Sequence, residues 1–262
     1  RRPGRETDMR FALLGHTEVV TDDGAPVVGL GDLRRAILAL LLLRANEFVA
    51  RDRLVDECWR DRAAKDPVNA LHLHVAKLRT VLGARLETRS SGYRLTVLPG
   101  ELDVDVFGRL HRQGRELLAL QRFQQASEVL RDAGALWRGP ALADVADALS
   151  VTGERARLAE LRLGARELAV EADLALHRHE DLVPELTLLV AENPLRERLL
   201  KQLMLALYRC GRQAEALSAY DTARRRLADS LGLDPPRGLR ELHRAVLRQD
   251  RSLSGGLVPT WA

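Results

Sequence analysis

The side chains best suited to specific recognition chemistry lie close together in the first third of the sequence. Asn69, His72, Leu73, His74, Lys77, Arg79 and Thr80 share one short stretch, and Arg89 follows beside Ser90-Ser91-Gly92. Projected at 3.6 residues per turn, residues 68–82 divide into two faces. Leu71, Val75, Leu78 and Leu82 form an apolar stripe suited to a core. Opposite them stand Asn69, Leu73, Ala76 and Thr80, with Lys77 on one rim, His72 and Arg79 on the other, and His74 at the edge of the packed side. A face meant only for water would mix Glu with Lys and would not centre on a leucine. These side-chain types suit the grooves of a duplex. An asparagine amide can bond a base edge bidentately, Leu73 and Ala76 can meet a thymine methyl, and rim cations neutralise phosphates. Arg89 stands at the tip of a short hairpin, where an arginine can enter a narrow minor groove. Arg85 and Arg94 read as solvated strand and loop positions.

Charge points the same way. The chain of 262 residues carries 41 Lys+Arg against 37 Asp+Glu, a net charge of +4. Residues 1–100 hold 17 basic and 13 acidic side chains, and the remainder holds 24 of each, so the whole imbalance belongs to the first part. Within residues 68–97, Lys77, Arg79, Arg85, Arg89 and Arg94 meet one acid, Glu87. A basic stripe confined to one segment of a balanced chain implies a polyanionic partner.

The elements that must position these residues follow from patterning. Residues 1–8 bury nothing and read as a disordered leader. Residues 10–20 read as a strand, Thr21-Asp22-Asp23-Gly24 as a turn, and residues 26–30 as a short strand partner. Helices are expected over residues 33–43, 49–59 and 68–82, with a polar loop over 61–67. Residues 86–89 and 93–97 flank Ser90-Ser91-Gly92 as a tight hairpin. Together these form one domain, residues 9–100, closed by Pro99-Gly100.

Residues 101–250 read as helix after helix. Breaks are expected at Arg138-Gly139-Pro140, residues 150–153, residues 177–180, Asn193-Pro194, Cys210-Gly211 and residues 232–236. That rhythm is the spacing of helix-turn-helix repeats, a TPR-like arrangement. Carboxylates in these helices, Glu167 among them, are expected to pair with Arg at i,i+4. Residues 251–262, with Gly255-Gly256 and Pro259, read as a flexible tail. Aromatic residues are only 4%, too few for a β-rich protein. The fold class is mainly α with a small β component: a winged helix-turn-helix of sheet, three helices and hairpin, followed by an all-α domain.

The order sheet, three helices, wing carries a recognisable pattern in Leu71-His72-Leu73-His74-Val75-Ala76-Lys77-Leu78-Arg79 and Arg89-Ser90-Ser91-Gly92-Tyr93-Arg94-Leu95. It resembles the OmpR-type winged helix, in which the third helix enters the major groove and the wing arginine the minor groove. That resemblance puts Asn69, His72, Leu73, His74, Lys77 and Arg79 at the recognition surface and Arg89 at the wing, with Tyr93 structural. Ala50 stands where the second helix usually has a Ser or Asp cap, and Ser90 where the wing often has glycine. Downstream, Ala135-Leu136-Trp137-Arg138-Gly139-Pro140, Asn193-Pro194-Leu195-Arg196-Glu197 and Leu205-Ala206-Leu207-Tyr208-Arg209-Cys210-Gly211-Arg212-Gln213-Ala214 are similar to the bacterial transcriptional activation domain. The two together resemble the Streptomyces antibiotic regulatory protein family. The resemblance implies an activator that binds tandem repeats in double-stranded promoter DNA of secondary-metabolite genes as a side-by-side homodimer. It also implies recruitment of RNA polymerase holoenzyme, with residues 60–67 and the helical domain as candidate polymerase surfaces.

Other classes fare worse. The sequence holds no GxxxxGK[ST] loop, HExxH or GxSxG, so no enzyme, catalytic residue or cofactor is expected. His177 and His179 beside Glu180 and Asp181 read as a surface turn and not as a metal site. The longest apolar run, residues 36–43, is too short for a membrane span, and no secretory leader opens the chain. Cys58 and Cys210 read as reduced core thiols of a cytoplasmic protein. The alternative is a helical-repeat scaffold whose winged helix binds no DNA; such a scaffold would not concentrate its positive charge on one helix and wing.

Overall fold

The computed structural model describes residues 9–21, 27, 30–60, 64–89, 91–146 and 148–255. The chain forms two compact units, residues 1–110 with 132–163 and residues 111–131 with 164–262.

The first unit begins with β1 (Arg10–Ala12) and β2 (Glu18–Val20), paired antiparallel with Phe11 opposite Val19. Residues 10–20 are thus two strands, where the sequence suggested one. Leu13 and Leu14 are adjacent and both fully buried, which an alternating strand cannot achieve. Their amides donate to the Asp103 carboxylate at 2.8 and 3.0 Å, and the Thr17 amide donates to Asp144 Oδ1 at 2.8 Å. Two distant carboxylates therefore replace the ladder bonds that a single strand would have made. The expected turn at residues 21–24 and strand at 26–30 lie largely outside the described residues, although the Val27 amide donates to Val19 O at 2.8 Å. The leader, residues 1–8, lies outside them entirely.

Next come α1 (Asp32–Leu42), β3 (Val49–Ala50), α2 (Arg51–Trp59), α3 (Pro67–Leu82), a 3-10 turn (Gly83–Arg85), β4 (Leu86–Arg89) and β5 (Gly92–Leu95). The strands form an antiparallel sheet in the order β3-β5-β4. Residues 49 and 50 belong to this sheet and not to the second helix, with Val49 opposite Tyr93 and Ala50 opposite Gly92. Ala50 caps α2 without a side-chain bond, as its identity predicts. Gly92 is required here by contact, because a Cβ at that position would lie 2.2 Å from Val49 O. The core draws on α1, α2, α3 and β5, and also on Leu102, Leu142, Val145 and Val151. Hence the first compact unit does not end at Pro99-Gly100. The apolar side chains of residues 142–151 and the Asp103 and Asp144 carboxylates complete it.

The remaining helices are α4 (Asp103–Ala119), α5 (Phe123–Ala135), α6 (Leu149–Ala175), α7 (His179–Glu192), α8 (Glu197–Arg209), α9 (Gln213–Leu231) and α10 (Arg237–Leu247). The division between units falls within α4, α5 and α6. In the second unit α7, α8 and α9 each pack on the next helix, and the breaks expected after residue 177 are present. The break expected at 150–153 is absent, for these residues form the start of α6. The Ser150 amide and hydroxyl donate to the Glu57 carboxylate, which satisfies a free N–H at the helix start, and Val151 is fully buried.

Glu167 and Asp173 are also not the surface i,i+4 partners expected. Both are buried on α6. Asp173 accepts from Ser127 Oγ at 2.8 Å, Arg131 at 3.0 Å and Arg178 at 2.7 Å. Glu167 accepts from Arg196 at 2.7 Å, 29 residues away. The expected tail is likewise ordered at its start. Residues Arg251–Ser254 form a 3-10 turn capped by Asp250, Leu253 is fully buried, and Arg209 Nε donates to Leu253 O at 2.7 Å. Residues 256–262 lie outside the described region. Cys58 is buried and Cys210 half-buried, and neither is in a disulfide. Among the described residues, no helix is long and apolar enough to cross a membrane.

Two glycine substitutions separate contact from propensity. Gly92→Ala must push β3 from β5 and is expected to cost about 1–3 kcal/mol by overpacking. Gly164→Ala, in α6 with nothing within 4 Å of its Cβ, should stabilise by up to about 1 kcal/mol. Urea denaturation of both variants checks this, and equal midpoints would contradict the β3–β5 register.

Candidate nucleic-acid interface

Helix α3 starts and stops on local signals. Asp66 is its N-cap and accepts from the Asn69 amide at 3.0 Å, Pro67 occupies the first turn, and Gly83 closes it with φ +57°. Leu71, Val75, Leu78 and Leu82 are buried in the core. That anchoring fixes what faces outward: Asn69, His72, Ala76, Lys77, Arg79 and Thr80 are exposed, and Leu73 is 60% exposed at their centre. The structure thus brings together seven of the eight sequence-derived positions on α3 and its flanks, counting Arg89 at the exposed end of β4.

His74 is the exception. It is half-buried, with its ring centroid 6.3 Å from that of Trp59 and its Nδ1 shielded and without a hydrogen-bond partner. Burial, aided by the Arg34 and Lys77 charges, holds its pKa below the usual histidine range, so at neutral pH it adds no cation. Thr80 Oγ1 donates to Lys77 O at 2.7 Å, which orients the hydroxyl along the helix. Lys77 is exposed, and its ammonium is available to an external anion.

Two arginines differ from the simple picture of cations projecting from a rim. Arg79 Nε donates to Leu86 O at 3.2 Å, and its terminal nitrogen donates to Thr88 Oγ1. It straps α3 to β4 and so sets where the hairpin stands beside the helix. Arg89 lies with its guanidinium carbon 4.3 Å from the Phe48 ring centroid, and Arg94 reaches the same ring at 4.9 Å. Arg94 also donates to both Glu87 oxygens, at 2.7 and 2.8 Å. Arg85 is not a solvated loop residue: it donates to Glu101 at 2.5 Å with both side chains largely buried. Burial opposes the Glu101 charge, yet the Arg85 bond and the Leu98 amide outweigh it and hold that carboxyl below its usual range.

Phe48 is the neighbour of the wing arginines that sequence reasoning missed. It is 38% exposed and stands 41 positions before Arg89 in the sequence, so no local pattern marks the pair. In the loop before α3, residues 61–63 lie outside the described region.

Comparison with known proteins adds to this geometry. Residues 25–95 match the family described as transcriptional regulatory protein, C terminal, and residues 102–247 match the bacterial transcriptional activator domain. The chain is 35% identical to regulatory protein DnrI of Streptomyces peucetius, over 97% of this chain and 98% of that protein. It is 38% identical to regulatory protein AfsR of Streptomyces coelicolor, over 97% of this chain but 26% of that protein. Among solved structures, Mycobacterium tuberculosis EmbR in complex with a low affinity phosphopeptide superposes with a TM-score of 0.88 at 34% identity, covering 95% of this chain and 69% of that one.

The Arg79 strap has a measurable consequence. Arg79→Lys keeps the charge but loses the two-point grip, so amide exchange at Thr88 should quicken and unfolding free energy should fall by about 1 kcal/mol. Unaltered exchange in β4 would mean that the strap does not position the hairpin.

Proposed function

The chain belongs to the Streptomyces antibiotic regulatory protein family of transcriptional regulators, and from that membership we propose a sequence-specific activator that reads promoter DNA with α3 and the β4–β5 wing. The observation that carries the proposal is the exposed face of α3: an amide and a leucine along its middle, an imidazole on one rim and an exposed ammonium on the other, and an adjoining arginine-tipped hairpin. In this reading α3 lies in the major groove. Asn69, His72 and Leu73 supply base preference, Thr80 lines the far end of the same face, and Lys77 neutralises a phosphate. Arg89 leaves Phe48 to enter the adjacent minor groove. Arg79 acts mainly by holding the wing beside the helix, and His74 by packing the helix edge.

The remaining parts of the proposal rest on family membership. The protein binds tandem repeats as two protomers side by side, and its helical domain, with residues 60–67, meets RNA polymerase holoenzyme. It works in the cytoplasm, at promoters of secondary-metabolite genes. The scaffold alternative leaves unexplained why the uncompensated positive charge sits on one helix and its wing.

The groups assigned to phosphate and to base separate experimentally. Lys77→Ala should lower the slope of log affinity against log salt by about 1 on every sequence. Asn69→Ala should cost about 1–3 kcal/mol at a single base pair and relax preference there. Fluorescence anisotropy on a repeat mapped by footprinting, and on variants of it, measures both. Equal losses for Asn69→Ala on all sequences would remove it from base reading, and an unchanged salt slope would remove Lys77 from the phosphate contacts.

A further inference from the structure

Lysine is rare in this chain. Of 41 Lys and Arg side chains only Lys65, Lys77 and Lys201 are lysines, and the rest are arginines. The two types differ in reactivity as well as shape. A guanidinium keeps its proton at any ordinary pH and is no nucleophile, whereas a lysine amine can lose its proton and attack an activated acyl carbon. Acylation turns that cation into a neutral amide. Where the three lysines stand therefore decides which positive charges an acyl donor can erase.

The three are not equivalent. Lys201 lies on α8 with its side chain 14% exposed, and its ammonium meets Glu197 at 2.7 Å one turn earlier. Shielding and the ion pair hold it back from a reagent in solution. Lys65 and Lys77 are both exposed, one just before the Asp66 cap of α3 and the other on the outer face of that helix. The accessible side-chain amines of the whole chain thus stand at the helix assigned to DNA.

Their surroundings differ in turn. Lys65 adjoins the Asp66 carboxylate in the sequence. Lys77 shares its neighbourhood with Arg34 of α1, for both charges act on the His74 ring. Acyl phosphates and coenzyme A thioesters carry negative charge, so a spot with two cations concentrates them and a carboxylate repels them. Leu71, Val75, Leu78 and Leu82, all buried, fix the rotation of α3 and keep Lys77 facing outward.

We propose that Lys77 is an acyl-acceptor site, and that acylation of its Nζ by an acyl phosphate or acyl thioester weakens DNA binding; the second part rests on the reading of α3 given above. The unprotonated Nζ attacks the carbonyl carbon and an N–C bond forms. The C–O bond to phosphate, or the C–S bond to the thiol, breaks. The leaving group departs with the bonding pair, and the extra proton on nitrogen passes to water. The amide that results has no charge, so the phosphate contact assigned to Lys77 is lost. Arg89 and Arg94 at the wing do not react and keep theirs.

The test uses the full chain, incubated at pH 8 with acetyl phosphate and, separately, with acetyl-coenzyme A. Peptide mass spectrometry follows each lysine, with every rate divided by that in urea-unfolded chain. Fluorescence anisotropy on the footprinted repeat follows binding. In at least one arm Lys77 should acetylate several times faster than Lys201, and the arm that reacts identifies the donor class. Affinity at 0.15 M salt should fall about fivefold as Lys77 fills, the worth of one phosphate contact. Lys77→Arg, compared with itself before and after treatment, should lose no affinity, whereas Lys65→Arg should lose it as the parent chain does. Lys77 reacting no faster than Lys201 in both arms overturns the proposal and leaves the DNA reading standing, because the salt slope of untreated Lys77→Ala tests that reading separately. Full acetylation of Lys77 with affinity intact also overturns it, as does a loss that persists in Lys77→Arg.

Discussion

One constraint organises the first unit: α3 must be buried on one side and bare on the other. Leu71, Val75, Leu78 and Leu82 are each no more than 2% exposed. Burying four such side chains contributes on the order of 1.5–3 kcal/mol apiece, enough to fix the rotation of the helix about its axis. Once that rotation is set, the identity of the outward residues is no longer a matter of choice. The surrounding elements serve the same end. The Asp66 cap and Gly83 fix its length, Arg79 ties its last turns to β4, and Gly92 lets β5 close against β3. The Asp103 and Asp144 carboxylates, by satisfying the amides of the amino-terminal fold-back, allow Leu13 and Leu14 to enter the same unit's interior.

The second unit shows a different solution, with charge brought inside. Asp173 and Glu167 lie buried on α6; the Asp173 carboxylate is met by Ser127, Arg131 and Arg178, and the Glu167 carboxylate by Arg196 and Arg198. Removing a carboxylate from water costs several kcal/mol, so such groups persist only where partners surround them. Every partner must then be in place together. Ser127, Arg131 and Arg178 converge on one carboxylate, which specifies the mutual placement of their segments more narrowly than interchangeable leucines would.

The boundary between what the sequence reveals and what it conceals follows interaction range. The α3 stripe is legible because a 3.6-residue period needs only neighbouring letters, and the hairpin because Ser91-Gly92 carries its own turn chemistry. The exposure of Asn69, His72, Leu73 and Lys77 follows from the stripe by geometry. The fold-back at residues 13–17 is not legible, since its stabilising acceptors stand 90 and 127 residues away. The same holds for Glu167 with Arg196 and for the seating of Leu253 against Arg209. Arg79 illustrates a subtler limit. Its exposed position was readable from the helix projection, but its hydrogen-bond partners on β4 depend on a hairpin placement that no local pattern encodes.

The seat of Arg89 on Phe48 has a consequence for selectivity. A guanidinium resting on an exposed aromatic ring gains about 0.5–1 kcal/mol there. For a wing that works as proposed, any duplex must offer Arg89 a stronger attraction than the ring before the side chain will leave it. Narrow, strongly negative grooves meet that threshold more readily than wide ones. In a wing that works this way, Phe48 decides at which flanks Arg89 would enter the groove and keeps it on the protein at the others, without touching a single base.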